Sequence, residues 1–224
     1  MDENKELLAI ISSSVHDMKG PLTAISGFAD AMTDGTIPPE KHGLYLGVIK
    51  READRLRAIC EELLEASEIE SGTADYIMKP FDICETARKV LISMETAINR
   101  KGLDVSFSAP DEGMTVLGDE NAITRLLYNI CDNAVKFSFE KGRLAVSLKE
   151  ACSEAEIRIE NSGEGMTKDE IENLFLPFYR KGERSGSGLG MFIAKNIVDA
   201  HGATINVESV PGDRTVFTVR IRRV

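Results

Sequence analysis

The stretch Ser12-Ser13-Ser14-Val15-His16-Asp17-Met18-Lys19-Gly20-Pro21-Leu22 sets a histidine and a carboxylate side by side inside a long helical pattern. Apolar residues fall at Leu8, Ile11, Val15, Met18, Leu22, Ile25, Ala29 and Met32, alternating steps of three and four. Such a seam belongs to a helix packed in a bundle or coiled coil. At ~100° per residue, His16 lies roughly 130° from the seam centre between Val15 and Met18, so its imidazole is expected to face outward. Asp17 can keep one ring nitrogen protonated and leave the other as a lone pair. Pro21 removes the hydrogen bond to the Asp17 carbonyl and bends the helix beside the pair. A His–Asp pair next to a costly proline is a candidate reactive site.

Working outward, the first helix is expected over residues 4–33. Asp34-Gly35-Thr36-Ile37-Pro38-Pro39 ends it with a turn cluster that no helix crosses. A second amphipathic helix is expected from about Glu40 to Glu70. Its stripe runs through Ile49, Leu56, Ile59, Leu63 and Ala66, widened by Leu46, Ala53 and Cys60. The two helices form an antiparallel hairpin whose apolar face is too broad for one partner. Two copies joined as a four-helix bundle would bury it.

The 224 residues hold one large or two small domains, and 42% hydrophobic content is enough for true cores. A formal charge of −10 argues against nucleic acid or an anionic membrane as a general partner. Cys60, Cys84, Cys131 and Cys152 form no C-x-x-C pair and read as core thiols of a reducing compartment. No apolar run approaches the ~20 residues of a membrane span, and no signal-peptide pattern opens the chain. With no sensory region ahead of the first helix, the chain reads as a portion of a longer protein. The expected location is cytoplasmic, either free or as the inner part of a membrane-tethered sensor.

Ser71-Gly72-Thr73 closes the second helix and opens a linker, giving expected boundaries of 1–71, 72–79 and 80–224. The last section changes character. Helical text over Ile83–Asn99 leads to strand-like Asp104–Ala109 and Thr115–Leu117, then a helix over Glu120–Phe137. Alternating runs Arg143–Lys149 and Ala155–Glu160 predict paired strands. A helix over Gly188–His201 and an antiparallel pair, Thr204–Ser209 with Thr215–Ile221, close the chain. Mixed helices and mostly antiparallel strands predict an α+β, two-layer domain.

Four stretches of this section point to a bound polyphosphate. Asn129, Asn133 and Lys136 share one face of their helix, while Leu126, Leu127, Ile130 and Ala134 define another. Carboxamide oxygens are hard ligands for Mg²⁺ already held by phosphates, and Lys136 supplies positive charge. Asn161-Ser162-Gly163-Glu164-Gly165 follows a strand directly. Phe175-Leu176-Pro177-Phe178-Tyr179-Arg180 sets an aromatic anchor beside a cation. Gly186-Ser187-Gly188-Leu189-Gly190 runs into a helix, where glycines let backbone N–H groups approach an anion.

Together these motifs resemble the dimerisation/phosphotransfer and catalytic ATP-binding core of a bacterial two-component sensor histidine kinase. His16 to Leu22 resembles the H box, Asn129 to Lys136 the N box and Asn161 to Gly165 the G1 box. Phe175 to Phe178 resembles the F box and Gly186 to Gly190 the G2 box. The resemblance covers essentially the whole chain. It implies a gyrase-like α/β sandwich behind the helical hairpin, with ATP and Mg²⁺ as cofactors. By the same likeness His16 is the phosphoacceptor, with Asp17 polarising its ring. Asn129 is the Mg²⁺ ligand, and Asn133, Lys136 and Arg180 contact phosphate. Phe137 packs near adenine, Asn161, Gly163 and Gly165 line its pocket, and Gly186, Gly188, Leu189 and Gly190 end a mobile lid. The implied reaction is autophosphorylation of His16 and transfer to an aspartate of a response regulator receiver domain, by a homodimer.

Three departures from the family pattern matter. Asn161 stands where an Asp usually accepts from the adenine amino group, which removes charge assistance from that hydrogen bond. The stretch from Arg180 to Gly186 is short for a lid. Gly20 replaces the usual Thr or Asn, which implies a competent kinase with weak phosphatase action. Two other readings stay open at this point: a nucleotide-hydrolysing gyrase-type ATPase, and a signalling scaffold with a decayed ATP site.

Overall fold

A computed structural model of the chain describes residues 3–181 and 187–224; in the first helix, side chains are described at position 15 and from position 17 onward. The described residues divide into two units. One runs through Ala74 and takes in residues 187–189; the other holds Asp75–Lys181 and Gly190–Val224.

The first unit is a helical hairpin of α1 (Glu3–Thr33) and α2 (His42–Glu70). Pro21 lies inside α1 and is buried. The turn is built by short-range bonds: Thr36 N–H donates to the Asp34 carboxylate at 2.8 Å, and Ile37 N–H to the Ala31 carbonyl at 2.8 Å. Gly35 has φ 82°, which glycine adopts without strain. A short 3₁₀ turn, Pro39–Lys41, then starts the return helix, two residues later than the sequence pattern predicts. Ile59 and Ala66 of the expected stripe are buried, whereas Leu46, Ala53 and Cys60 are exposed. After α2, Thr73 and Ala74 N–H groups still donate to the Glu68 carbonyl.

The second unit is a two-layer α/β domain. Its main sheet has five strands in the order β2 (Asp104–Ser108), β4 (Arg143–Ala151), β5 (Glu154–Ser162), β7 (Arg214–Arg222), β6 (Thr204–Val210). Only the β2–β4 pair is parallel. Val146, Ile159 and Phe217 align across three strands, as do Leu148, Ile157 and Val219. These rows meet α5 (Glu120–Phe137) and α7 (Gly190–Ala200), whose Ile123, Leu126, Leu127, Ile130, Ile193 and Ile197 are almost wholly buried. The opposite face carries charge: Glu156 takes Lys149 at 2.9 Å and Arg220 at 2.8 Å. Both cations hold its carboxyl below the usual carboxylate range, outweighing burial.

Two strands expected or missed in sequence form a separate small sheet. Lys79–Asp82 is β1 and pairs antiparallel with β3 (Thr115–Gly118). Lys79, expected to end the linker, is therefore the first residue of a strand. The helix expected over Ile83–Asn99 is two helices, α3 (Ile83–Ser93) and α4 (Glu95–Lys101), separated at Met94. A capped turn of helix, α6 (Lys168–Asn173), adds an element the pattern did not show. Cys84 and Cys131 are buried as expected, and burial pushes the Cys131 thiol up to about 12; Cys60 and Cys152 are exposed instead.

Candidate active site

Helix α5 carries the polar face. Asp119 caps its start, accepting from Asn121 and Ala122 N–H at 2.9 and 3.0 Å. It also accepts from Ile77 N–H at 2.9 Å, tying the incoming chain to this helix. Burial pushes the Asp119 carboxyl up, but these donors together hold it below its ordinary value. His201 supports the same corner: its Nε2 accepts from Asp119 N–H at 3.0 Å, which leaves Nδ1 as the donor to the Ile197 carbonyl at 2.8 Å.

Asn129 lies in the middle of α5 and is 7% exposed, so its side of the helix is not an open solvent face there. Its amide nitrogen donates to the Gly190 carbonyl at 2.9 Å, at the first residue of α7. A carbonyl opposite fixes the amide orientation, and Oδ1 is then the atom presented to a ligand. A Cβ on Gly190 would sit 3.4 Å from that oxygen. Among the described residues no group of three His, Cys, Asp or Glu could hold a metal. A single amide oxygen fits a Mg²⁺ that brings its other ligands with it as water and phosphate. Lys136, two turns further on, pairs with Asp132 at 2.6 Å on the half-exposed side. Asn133 and Phe137 are half-buried beside it.

The loop after β5 is clamped between the end of α5 and the β6–β7 turn. Gly163 bridges to Ser138, and its N–H donates to the Asp213 carbonyl at 2.9 Å. Glu164 N–H donates to the Phe137 carbonyl at 3.2 Å, while the Glu164 carbonyl accepts from Gly212 N–H at 2.7 Å. A Cβ at position 163 would approach the Phe137 carbonyl oxygen to 2.1 Å, and one at 165 would approach the Val210 oxygen to the same 2.1 Å. Only glycine fits either place. Asn161 is 3% exposed, at the floor of this loop.

Several supporting residues carry no sequence signal of their own. Ser162 Oγ accepts from Arg143 N–H at 2.7 Å, and its carbonyl from Phe139 N–H at 3.1 Å. Lys181 Nζ reaches the Gly165 carbonyl at 2.6 Å and the Glu170 carboxylate at 3.0 Å. Glu170 closes a capping box with Thr167. The only hint of Lys181 in sequence is that it follows Arg180 in a basic pair. Arg180 is half-buried, and Phe178 before it takes φ 62°, unusual for a bulky residue.

The structure thus brings Asn129 to Gly190, and Phe137 to Gly163 and Glu164. Gly188 has φ 78°, and Leu189 is fully buried. Gly186 lies outside the described residues, as does the side chain of His16; the backbone of His16 lies in α1, and Asp17 beside it is half-buried. At Gly20 a Cβ would meet nothing within 4 Å.

Two family profiles match the chain: the His Kinase A (phospho-acceptor) domain over residues 4–72, and the histidine kinase-, DNA gyrase B- and HSP90-like ATPase over residues 118–224. The chain belongs to the two-component sensor histidine kinases. It is 30% identical to the cell-division control histidine kinase PdhS of Brucella anthropi over 234 aligned residues, 97% of this chain and 22% of that protein. The chain therefore spans about a fifth of the length of the curated histidine kinases it matches, 22% for this one. Among solved structures, the histidine kinase AdeS of Acinetobacter baumannii superposes with a TM-score of 0.75 at 23% identity, over 92% of this chain and 97% of that one. Histidine kinase ThkA, solved in complex with response regulator protein TrrA, gives 0.75 at 25% identity, over 100% of this chain and 64% of that one. Among the described residues of this histidine kinase core, no helix is long and apolar enough to cross a membrane.

Proposed function

We propose that this chain is an ATP-dependent protein-histidine kinase that phosphorylates His16 and passes the phosphoryl group to an aspartate of a response regulator. The observation that carries the reading is the Asn129–Gly190 bond, which joins the polar face of α5 to the glycine-led start of α7. A nucleotide polyphosphate suits that junction, where backbone N–H groups at a helix start meet an amide oxygen. ATP is the nucleotide, with Asn161 and the Gly163–Gly165 loop on its adenine side. Asn133, Lys136 and Arg180 face its phosphates, and Gly186, Gly188 and Leu189 belong to the lid.

In the proposed reaction a lone pair on the His16 ring attacks the γ-phosphorus in line. The bond from that phosphorus to the bridging oxygen breaks, ADP leaves, and Asp17 stabilises the charge that grows on the ring. Bound Mg²⁺ would offset phosphate charge, with Asn129 Oδ1 as its protein ligand. Lys136 would exchange Asp132 for phosphate. Residues 1–71 form the phosphotransfer and dimerisation hairpin, 72–78 the linker and 79–224 the catalytic part, Lys79 opening β1. The exposed Val15, Leu22, Leu46 and Leu64 support association of two hairpins as a bundle. Incubation with γ-labelled ATP and Mg²⁺ tests the reading. The label should be lost in acid and kept in base, as a phosphoramidate is; an unlabelled chain that hydrolyses ATP would favour the ATPase alternative.

Weak phosphatase action toward the phospho-regulator belongs to the same proposal, because Gly20 offers no side chain to hold a water. Space for one exists there, so Gly20→Thr should speed decay of the phospho-regulator. Rapid decay with the wild type, unchanged by the substitution, would contradict this.

A further inference from the structure

The last turn of α5 carries Lys136 and Phe137 and forms the rim of the proposed nucleotide site. A helix end leaves its final four carbonyls without donors from its own helix. Here all four are met. Ala134 accepts from the Ser138 N–H at 3.1 Å and hydroxyl at 2.6 Å, and Phe137 from Glu164 N–H at 3.2 Å. The two between them accept from one ammonium: Lys101 Nζ donates to the Val135 carbonyl at 2.8 Å and to the Lys136 carbonyl at 2.6 Å.

Lys101 is the last residue of α4 and is itself held in place. Its carbonyl accepts from Lys141 N–H at 2.9 Å, and Asp104 N–H donates to the Gly142 carbonyl at 2.8 Å. The backbone at Lys101 and just after it is thus stitched to the loop that leaves α5. A cation at the negative end of a helix is favourable, and bonds from an ammonium are stronger than neutral ones.

We infer that Lys101 is a positioning residue for the nucleotide site, fixing the last turn of α5 against the Gly163–Gly165 loop. The inference rests on the nucleotide-site reading above. Lys101 acts through the carbonyls of residues 135 and 136, and the next carbonyl, that of Phe137, holds the loop by Glu164. Without the ammonium these two carbonyls must turn toward water, and the turn that places Lys136 and Phe137 loosens. Asn129 lies two turns earlier and is held by Gly190, so it does not depend on Lys101. Loss of Lys101 therefore weakens ATP binding while leaving the rate at saturation in place.

The test compares wild type with Lys101→Met, Lys101→Gln and Lys101→Arg in the full chain. Calorimetry with Mg·ATP gives Kd, and labelling gives KM and kcat. Lys101→Met should raise Kd and KM about tenfold, the scale of a charge-assisted hydrogen bond that acts on the ligand indirectly. Its kcat should stay within about twofold, since uniform binding alone is weakened. Lys101→Gln keeps an uncharged donor and should fall between, and Lys101→Arg, with a fork of donors, should recover most of the affinity. A merely structural role would lower the amount of binding-competent protein without moving Kd in the remainder. Unchanged Kd in both Lys101→Met and Lys101→Gln, beside a wild type that binds, would overturn the inference. Should Lys101→Met fail to fold, a wild-type Kd in Lys101→Gln overturns it alone. A wild type that does not bind ATP would overturn the nucleotide-site reading, and this inference with it.

Discussion

The two units of the chain satisfy their apolar residues differently. The catalytic unit closes its own core: Leu126, Ile130, Leu144, Ile193 and Ile197 are fully buried between one helical layer and one sheet. In the hairpin, Ile37, Ile59 and Ala66 are buried, while Val15, Leu22, Leu44, Leu46 and Leu64 are exposed. A helix gains most of its stability from packing its apolar face, not from propensity. The sheet unit can therefore be judged alone, whereas the hairpin leaves apolar residues exposed that the proposed pairing with a second copy would cover. The proposed chemistry divides along the same line, with the proposed nucleophile His16 on the hairpin and the proposed nucleotide groups on the sheet domain.

Substitution in the core gives the largest break of this contrast. Leu126→Ala should cost the catalytic unit about 2–5 kcal/mol, because the sheet and α7 cannot collapse into the void. Leu22→Ala in the hairpin should change the stability of a dilute, unassociated chain by no more than ~0.5 kcal/mol. Its effect should appear as association shifted to higher concentration, read by sedimentation. Equal losses at both sites, independent of concentration, would erase the distinction between the units.

The next contrast lies inside the nucleotide site. Asn161→Asp should tighten ATP binding by about 1 kcal/mol, several-fold in Kd, because a charged acceptor is stronger than a neutral one. Equal or weaker affinity in calorimetry would mean that the amide is matched to its buried position.

The smallest effect is electrostatic and confined to the sheet. The folded Glu156 carboxyl sits below its ordinary value of 4.5 because Lys149 and Arg220 bind its charged form. Its contribution is therefore present above that value and is lost as pH falls through the lower, folded one. The unfolding midpoint of the wild type should drop in that window, and Glu156→Gln should flatten the slope. An unchanged slope in the variant would remove Glu156 from the acid response.

The parts of the fold legible in sequence are those with a long, repeated period. Helices α1, α2 and α5 and the β4–β5 pair follow directly from steps of three and four or of two. The break at Met94 is not legible, because no Gly or Pro marks it; the chain turns there while Met94 stays buried. Strand β1 is hidden by its four residues, its Pro80 and its exposure. In the candidate site the residue types of α5 and the glycines are readable. What the glycines do is not: Gly163 and Gly165 are required by the Phe137 and Val210 carbonyls, distant in sequence. Lys101 and Lys181 act on backbone oxygens, which leave no mark in residue type.

If His16 receives the phosphoryl group that the Asn129 site activates, two single substitutions in the full chain separate the two roles. Wild type, His16→Ala and Asn129→Ala are each given Mg·ATP, with binding read by calorimetry and the acid-labile label mapped by mass spectrometry. The expected result is label on His16 in the wild type and none in His16→Ala, whose ATP affinity stays at the wild-type value. Asn129→Ala should keep His16 intact yet lose its Mg²⁺-dependent labelling. Label that persists at another residue in His16→Ala, or an unchanged labelling rate in Asn129→Ala at saturating ATP, would contradict the claim.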